Sequence, residues 1–279
     1  MEIPLIMGIK IALIAFFAEY FDSALGMGYG TLLTPLLLLM GFKPMEVIPS
    51  VLLSEFITGL LAGFTHHSLG NVNLRPKTIS LIFIIRKIKE LGFRRSFEKG
   101  VPIHLKIALL LGVCSIVGTI IAVLTAVRLS KFWLTMSIGC IITVMGALIL
   151  LSVNRTYKFS WKKLTILGMI ASFNKGMSAG GYGPIVTGGQ LLSGVETKST
   201  VGITSLAEGL TCLVGIIMYF ISVPQLNLGI APYNVVGAVL SVPFAALTVK
   251  STNPKKMKLV IGIITLILGI LTIGNLAKP

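Results

Sequence analysis

A few charged residues lie inside long apolar stretches of the sequence, where each needs either a partner or a function. Lys175 is one of them, and Asp22 occupies the matching position of an earlier stretch, 153 residues before it. At the centre of a lipid bilayer a lysine costs roughly 3 kcal/mol or more on insertion scales. Two interpretations follow: a structural ion pair between Lys175 and Asp22, or an ammonium group that attracts an anionic substrate. They are compatible if Asp22 releases Lys175 when the substrate binds.

Two acids, Glu55 and Glu208, also occupy matching positions at the same shift of 153 residues. A buried carboxyl group holds its proton more readily than an exposed one, so this pair is a candidate for carrying protons that are coupled to transport. In the alternative interpretation each carboxyl is a structural brace, hydrogen-bonded to neighbouring hydroxyl groups or to unwound backbone.

Asp22 and Lys175 each begin a copy of a glycine-rich stretch that occurs twice in the sequence. Residues 22–35 align without a gap on residues 175–188, so that Gly28-Tyr29-Gly30 falls on Gly181-Tyr182-Gly183. This agreement indicates duplication. Glycine permits unwinding and close backbone approach, and the unpaired amides of a helix that begins at such a break attract negative charge. Helix packing through glycine is the competing interpretation, whereas a dinucleotide loop is not expected because no strand precedes the glycines.

The predicted substrate-binding residues are the glycines and polar side chains of these two breaks. They are Asp22, Gly26, Gly28, Tyr29, Gly30, Thr31, Asn174, Lys175, Ser178, Gly181, Tyr182 and Gly183. Hydroxyl groups, glycine amides and the Lys175 ammonium would replace the water that a small anion loses on binding. The sequence has no catalytic pair and no metal-binding motif, so neither enzyme activity, a metal nor a cofactor is expected.

Composition excludes a soluble protein. The chain has 279 residues, of which 54% are hydrophobic and 12% charged, with a mean hydropathy of +0.95. These values are typical of a polytopic membrane protein, and apolar runs of about 20 residues match the roughly 30 Å of bilayer hydrocarbon. Six such spans are predicted, at 47–65, 103–126, 132–153, 200–222, 229–249 and 257–275.

Two shorter apolar segments precede the spans of each half, at 3–21 and 25–40 and at 164–174 and 177–193. They are predicted to be shallow spans or the arms of a hairpin, and the sequence leaves this choice open. Each half then has an opening pair and three crossings, and an odd number of crossings inverts the second half. The predicted fold is therefore an all-α membrane protein of two inverted repeats.

The two repeats are predicted at 1–153 and 154–279, in one integrated membrane domain with a basic insert at about 76–100. Part of this insert, 79–97, alternates apolar and basic residues and is predicted to lie on the lipid surface as a short helix.

A net charge of +15 would suggest nucleic-acid binding in a soluble chain, but here the basic residues mark one side of a membrane. Of the 24 Lys and Arg residues, 18 fall in the loops 66–106 and 154–163, at Lys198 and in 250–258. The positive-inside rule predicts that these loops lie on the cytoplasmic side of a cell membrane and that both termini lie on the outer side. No nucleic-acid partner is expected.

The first break resembles a known family. Asp22-x3-Gly-Met-Gly-Tyr-Gly-Thr-Leu-Leu-Thr-Pro35, with Pro49-Ser50 and Gly70-Asn71-Val72, is similar to the TauE/SafE family of membrane permeases, also called sulfite exporters. In the second half, Gly180–Gly183 and Gly202–Ser205 resemble its second motif. The resemblance implies multi-pass transport of small sulfur-containing anions such as sulfite, sulfoacetate or other organosulfonates.

The expected function is secondary transport of a small anion that binds near the membrane midplane, between the two breaks. Because no ATP-binding motif is present, the energy would come from protons, another ion gradient, the membrane potential or the substrate gradient itself. An anion channel is the main alternative and would show currents far above transporter turnover. A membrane-embedded enzyme or assembly factor would need a catalytic pair. Oligomeric state is left open.

Overall fold

The computed structural model describes residues 3–75, 100–151, 160–191, 195, 197–248 and 254–276, and this part of the chain contains ten α-helices and no strand. The predicted surface helix at 79–97 lies outside the described residues. In chain order the helices are α1 (Leu5–Leu25), α2 (Tyr29–Leu39), α3 (Pro44–Ser68), α4 (Ile103–Ala126), α5 (Lys131–Leu151), α6 (Trp161–Ser178), α7 (Tyr182–Leu191), α8 (Thr197–Ser222), α9 (Ala231–Thr248) and α10 (Pro254–Leu276).

Among the described residues, five helices are long and apolar enough to cross a membrane: α3, α4, α5, α8 and α9. The sixth predicted span, 257–275, lies on α10, whose described apolar part is Gly262–Gly274. Large apolar side chains such as Phe64 (69% exposed) and Leu151 (70% exposed) point outward, where lipid would cover them. The all-helical, polytopic membrane class predicted from composition is confirmed.

Each opening pair consists of a long helix followed by a half-length helix. α1 and α6 have 21 and 18 residues, about 31 Å and 27 Å at 1.5 Å per residue. α2 and α7 have only 11 and 10 residues, about half of the roughly 30 Å of hydrocarbon. The second helix of each pair is therefore too short for a full crossing.

The break after α1 is a consequence of local backbone conformation. Gly26 adopts a left-handed conformation with φ 69°, and Gly28 has φ 138°, a value that strains any residue with a side chain. After α6, the corresponding left-handed residue is Ala179 with φ 55°, an uncommon conformation for a residue other than glycine. Both long helices thus end at equivalent positions, 26 and 179.

The two helices α3 and α8, which are equivalent at the 153-residue shift, pack in opposite directions. Leu52 lies against Gly215, Gly59 against Gly209, and Gly202 lies against His66, so residue numbers rise along α3 as they fall along α8. The fifth helices of the two halves, α5 and α10, also pack antiparallel, as Gly146 packs on Leu266 and Gly139 on Ile273. This is the relation that two inverted copies would have.

Two further helix packings each join a helix of one half to a helix of the other half. α1 runs parallel to α9, with Gly8 against Tyr233 and Gly237 against Ala12. α6 runs parallel to α4, with Gly168 against Leu111 and Gly176 against Ala122. α1 and α6 are the first helices of the two halves, and α4 and α9 are the fourth. In each half the first helix therefore packs in parallel on the fourth helix of the other half. These contacts support an organisation into two repeats.

The α3–α8 crossing predicts a packing effect at Gly59. A Cβ atom at this position would lie 2.7 Å from the carbonyl oxygen of Ser205, a backbone atom that cannot rotate away. We expect Gly59→Ala to destabilise the protein by about 1–3 kcal/mol, the usual range for overpacking. The measurement is thermal unfolding of the detergent-purified protein, with Gly274→Ala as the control because a Cβ there meets nothing within 4 Å. Equal melting temperatures of the two variants would contradict this packing.

Candidate functional site

The two glycine-rich breaks meet directly in the interior of the protein. Gly30 lies against the carbonyl group of Ala179, and a Cβ atom at Gly183 would stand 2.5 Å from the carbonyl oxygen of Gly26. The equivalent glycines therefore make equivalent contacts, each with the backbone of the other break. Only glycine permits this approach, because any side chain would displace the facing backbone.

Two threonine hydroxyl groups join the breaks across this contact. Thr31 Oγ1 accepts a hydrogen bond of 3.0 Å from the Gly181 amide, and Thr187 Oγ1 donates one of 2.6 Å to the Gly26 carbonyl. Thr31 is among the predicted site residues, whereas Thr187 is not. Its alignment with Thr34 at the 153-residue shift was the signal that would have found it.

The expected polar pocket between the breaks is not open in this conformation. The contact of Gly30 with Ala179 leaves no room at the crossing even for a methyl group. The described cavities lie elsewhere, one beside His67 and one beside Phe42. An anion can occupy the space between the breaks only after they move apart.

Most of the hydroxyl groups predicted to bind substrate already have partners. Tyr29 Oη shares a hydrogen bond of 2.7 Å with Ser54 Oγ, and Ser178 Oγ donates to the Asn174 carbonyl at 2.8 Å. Asn174 itself is only half-buried. Tyr182 differs from them, because its buried Oη has the Thr211 hydroxyl group beside it but forms no hydrogen bond of regular geometry with a described residue.

The difference between the two tyrosines has a simple origin in the sequence. Tyr182 is equivalent to Tyr29, but the position equivalent to Ser54 is Ala207, which offers no hydroxyl group. Tyr182 Oη therefore has the Thr211 hydroxyl group as its neighbour instead of a serine, and its hydrogen-bonding capacity is less fully used than that of Tyr29.

Lys175 lies in the last turn of α6 and forms ion pairs with two carboxyl groups. Its Nζ lies 2.7 Å from Glu208 Oε1 and also contacts Glu55 Oε2, and the lysine is 1% exposed. The expected pair between Lys175 and Asp22 is wrong. The crossing of α3 and α8 brings Glu55 and Glu208 together near its centre, so both carboxyl groups face the lysine.

Asp22 instead holds the start of the short helix α2. Its Oδ1 accepts a hydrogen bond of 3.3 Å from the amide of Tyr29, the first residue of that helix. A carboxylate at this place satisfies an unpaired amide and complements the positive end of the helix dipole. The position equivalent to Asp22 in the second repeat is Lys175, so α7 has no acid at the corresponding place.

A further buried acid, Glu19, was not among the predicted site residues. It is 1% exposed, and its two carboxyl oxygens accept hydrogen bonds from Ser23 Oγ at 2.6 Å and Thr58 Oγ1 at 3.0 Å. Its position in an apolar run, three residues before Asp22, was the signal, since hydrocarbon does not tolerate an acid without a protein or water partner.

Together these residues form a buried cluster of four carboxyl groups and one ammonium group: Glu19, Asp22, Glu55, Glu208 and Lys175. If every group were ionised, the cluster would carry three uncompensated negative charges. Burying unpaired charge costs several kcal/mol per ion. The cluster therefore favours additional positive charge, in the form of protons or a bound cation.

The same carboxyl groups have the spacing of a cation site. One oxygen each of Asp22, Glu55 and Glu208 lies within 4.8 Å of the others. Glu55 Oε1 and Glu208 Oε2 have no hydrogen-bond partner in the described structure. A metal ion was not expected from the sequence, because these three residues are separated by 33 and 153 positions.

Two equivalent side chains hold the carbonyl groups near the ends of α1 and α6. His66 Nε2 lies 2.9 Å from the carbonyl oxygen of Ser23, and Tyr219 Oη donates to the carbonyl oxygen of Gly176 at 3.1 Å. Positions 66 and 219, like 23 and 176, differ by the repeat shift of 153. These bonds satisfy carbonyl groups that the interrupted helices would otherwise leave unpaired.

Comparisons with known proteins identify relatives of the chain. A family model described as "Sulfite exporter TauE/SafE" matches residues 11–85 and 91–272. The chain is 26% identical over 275 residues to a Bacillus subtilis protein named "Probable membrane transporter protein YtnM", covering 91% of this chain and 78% of that protein. No solved structure matched the chain. Both matches support a membrane transporter rather than an enzyme.

The ion pairs of Lys175 predict a strong effect on stability. Lys175→Met leaves Glu55 and Glu208 buried without a positive partner, which we expect to cost about 3–5 kcal/mol. Adding Glu55→Gln and Glu208→Gln removes the orphaned charges, so the triple variant should recover most of that loss. The measurement is thermal unfolding of all three proteins at neutral pH. A single variant as stable as the wild type would show that the lysine is not neutralised by these two acids.

Proposed function

Because the chain belongs to the sulfite exporter TauE/SafE family, we propose that it is a secondary transporter of small sulfur-containing anions, sulfur oxyanions or organosulfonates. The observation that carries this proposal is the Lys175 ammonium group, buried beside the two breaks and neutralised by Glu55 and Glu208. A buried ammonium with exchangeable acidic partners is a place where an anion can replace a carboxylate.

The proposed substrate site lies halfway along two crossing helices. Glu55 is residue 12 of the 25 in α3, and Glu208 is residue 12 of the 26 in α8. If α3 and α8 span the membrane, Lys175 lies near its midplane. We place this site at the interface of two inverted repeats, residues 1–153 and 154–279, an arrangement that the antiparallel contacts of α3 and α8 support.

In the proposed mechanism the closed breaks separate to admit the anion. Separation frees the Gly181 amide from Thr31 and the Gly26 carbonyl from Thr187. The first-turn amides of α7, a turn that contains no acid, and the hydroxyl group of Tyr182 then become available to the anion. In the closed structure the two breaks contact each other through their backbones. In the proposed open state the same groups donate hydrogen bonds to the oxyanion.

Charge balance links the anion to proton movement. When the anion binds Lys175, Glu55 or Glu208 loses its positive partner and remains buried. A carboxylate in that position is stable only when it takes up a proton, since an unpaired buried charge is costly. We infer that each anion moves together with protons that bind these two acids, which makes Glu55 and Glu208 the coupling residues.

We propose that the protein lies in the cell membrane with its basic loops in the cytoplasm. α4 and α6 run parallel, so both helices begin on the same side, and a basic segment precedes each of them in the sequence. Ser199 in the first turn of α8 lies with Asn71 and His104 in one cavity, which adds the loop near Lys198 to that side. The positive-inside rule assigns this side to the cytoplasm.

The decisive test is uptake of labelled sulfite, sulfate and organosulfonates into proteoliposomes. We expect wild-type protein to accelerate uptake of at least one of these anions. The folded triple variant Lys175→Met/Glu55→Gln/Glu208→Gln should show uptake no faster than empty liposomes, because it lacks the anion's cationic partner. Uptake by the triple variant at the wild-type rate would refute the site. Ion currents far above transporter turnover would favour an anion channel.

Proton coupling predicts a distinct result for the two acids. In wild-type proteoliposomes an imposed pH gradient should drive the anion against its own gradient. Glu55→Gln and Glu208→Gln should each abolish this concentrative uptake while retaining exchange of labelled for unlabelled anion, because exchange needs no net proton movement. The control is Glu46→Gln, which removes a carboxyl group at the start of α3 instead of in the buried cluster. An unchanged response to pH in both variants would exclude the coupling role.

A further inference from the structure

A polar cavity lies away from the breaks, at the face from which α4 and α8 begin. The proposed orientation assigns the basic loops to this face, which is called the basic-loop face below. The cavity has a volume of about 440 Å³ and lies where α3 ends and where α4 and α8 begin. The side chains that line it are His67, Asn71, Asn73, His104 and Ser199. Since a water molecule occupies about 30 Å³ in the liquid, this volume holds a small oxyanion with several waters.

The lining of the cavity has the chemistry of an anion site. Among the described residues that line it, none is acidic. Ser199 is 2% exposed and lines the cavity. A hydroxyl group in the wall of a cavity can donate a hydrogen bond to an oxyanion.

Two helix starts converge on the same space. His104 is in the first turn of α4, which begins after Pro102 without a side-chain cap, and Ser199 is in the first turn of α8. First-turn amides have no partner within their helix and carry the positive end of the helix dipole, so they bind anions.

Hydrogen bonds connect the cavity wall to the first break. Asn71 Nδ2 lies 3.1 Å from His66 Nδ1, and His66 Nε2 lies 2.9 Å from the carbonyl oxygen of Ser23 in the last turns of α1. Asn71 and His66 are 6% and 0% exposed, so water does not interrupt these bonds. A ligand that contacts Asn71 therefore lies two hydrogen bonds away from the helix end that must move.

We propose that this cavity is a second anion site, which binds a small oxyanion of the transported class at the basic-loop face before it reaches Lys175. Ser199 Oγ and the first-turn amides of α4 and α8 donate hydrogen bonds to the anion. Anion binding at Asn71 affects the first break through the hydrogen bonds of Asn71 with His66 and of His66 with Ser23. This inference rests on the proposed function, because it assigns the cavity to the route of the same anion.

Direct binding separates this site from the central one. The experiment uses full-length triple variant Lys175→Met/Glu55→Gln/Glu208→Gln, whose central site is disabled, and measures equilibrium binding of ³⁵S-labelled sulfite and sulfate. We expect one remaining site. Adding Ser199→Ala should weaken it about 10-fold or more, as loss of a hydrogen bond to a charged group costs about 1.5–3 kcal/mol. Ser199→Thr, which keeps the hydroxyl group, should bind like the parent.

The matched control is Ser137→Ala, which removes a hydroxyl group from α5 instead of from the cavity. No residual binding in the triple variant, or equal binding by the Ser199→Ala and Ser137→Ala forms, would overturn the second site even if transport is confirmed. Conversely, serine-dependent binding to a protein that transports none of the anions would sustain the site and refute the proposed function.

Transport kinetics give an independent readout in the otherwise wild-type protein. Ser199→Ala should raise the half-saturating anion concentration about 10-fold when the anion is offered at the basic-loop face. The value measured from the opposite face should not move. An equal change from both faces would place the effect at the central site and contradict a separate one. Melting temperatures of the variants verify that each is folded.

Discussion

The structure depends on how one lysine is neutralised in an apolar interior. Lys175 is almost fully buried and contacts both Glu55 and Glu208, which come from two different helices of the two halves. An ion in this position is tolerated only if its partners are fixed, since desolvation of each charge costs several kcal/mol. The crossing of α3 and α8 is what fixes them. The same three side chains therefore hold the two halves together and form the candidate site.

The second constraint is the distance between the two breaks. Gly30 and Gly183 bring backbone against backbone, and the hydroxyl groups of Thr31 and Thr187 close the contact with hydrogen bonds. Backbone groups at each break thus find hydrogen-bond partners in the other break, and the space between the breaks is closed. In the proposed mechanism an anion takes the place of these internal bonds, so opening exchanges protein–protein hydrogen bonds for protein–anion ones.

The two halves have similar backbones but different chemistry at equivalent positions. His66 and Tyr219 hold equivalent carbonyl groups, yet only the histidine continues through Asn71 to the cavity at the basic-loop face. Asp22 holds the start of α2, whereas its equivalent is Lys175. At this pair of equivalent positions the two halves therefore carry opposite charges, Asp22 in the first half and Lys175 in the second. In the proposed mechanism most donors to the anion come from the second half.

Much of this protein is determined by the sequence alone. Apolar runs predict the helices because hydropathy is a local property, and glycines at 26, 28, 30, 181 and 183 mark the breaks because backbone freedom is local as well. The gapless alignment at 153 residues indicates the repeat and pairs Glu55 with Glu208. Only tertiary structure decided that Lys175 binds these two acids and not Asp22, that the breaks touch with no space between them, and that Ser199 meets Asn71 and His104 in one cavity. Each of these depends on the direction and crossing point of helices far apart in the chain, which packing of the whole molecule sets and no local pattern contains.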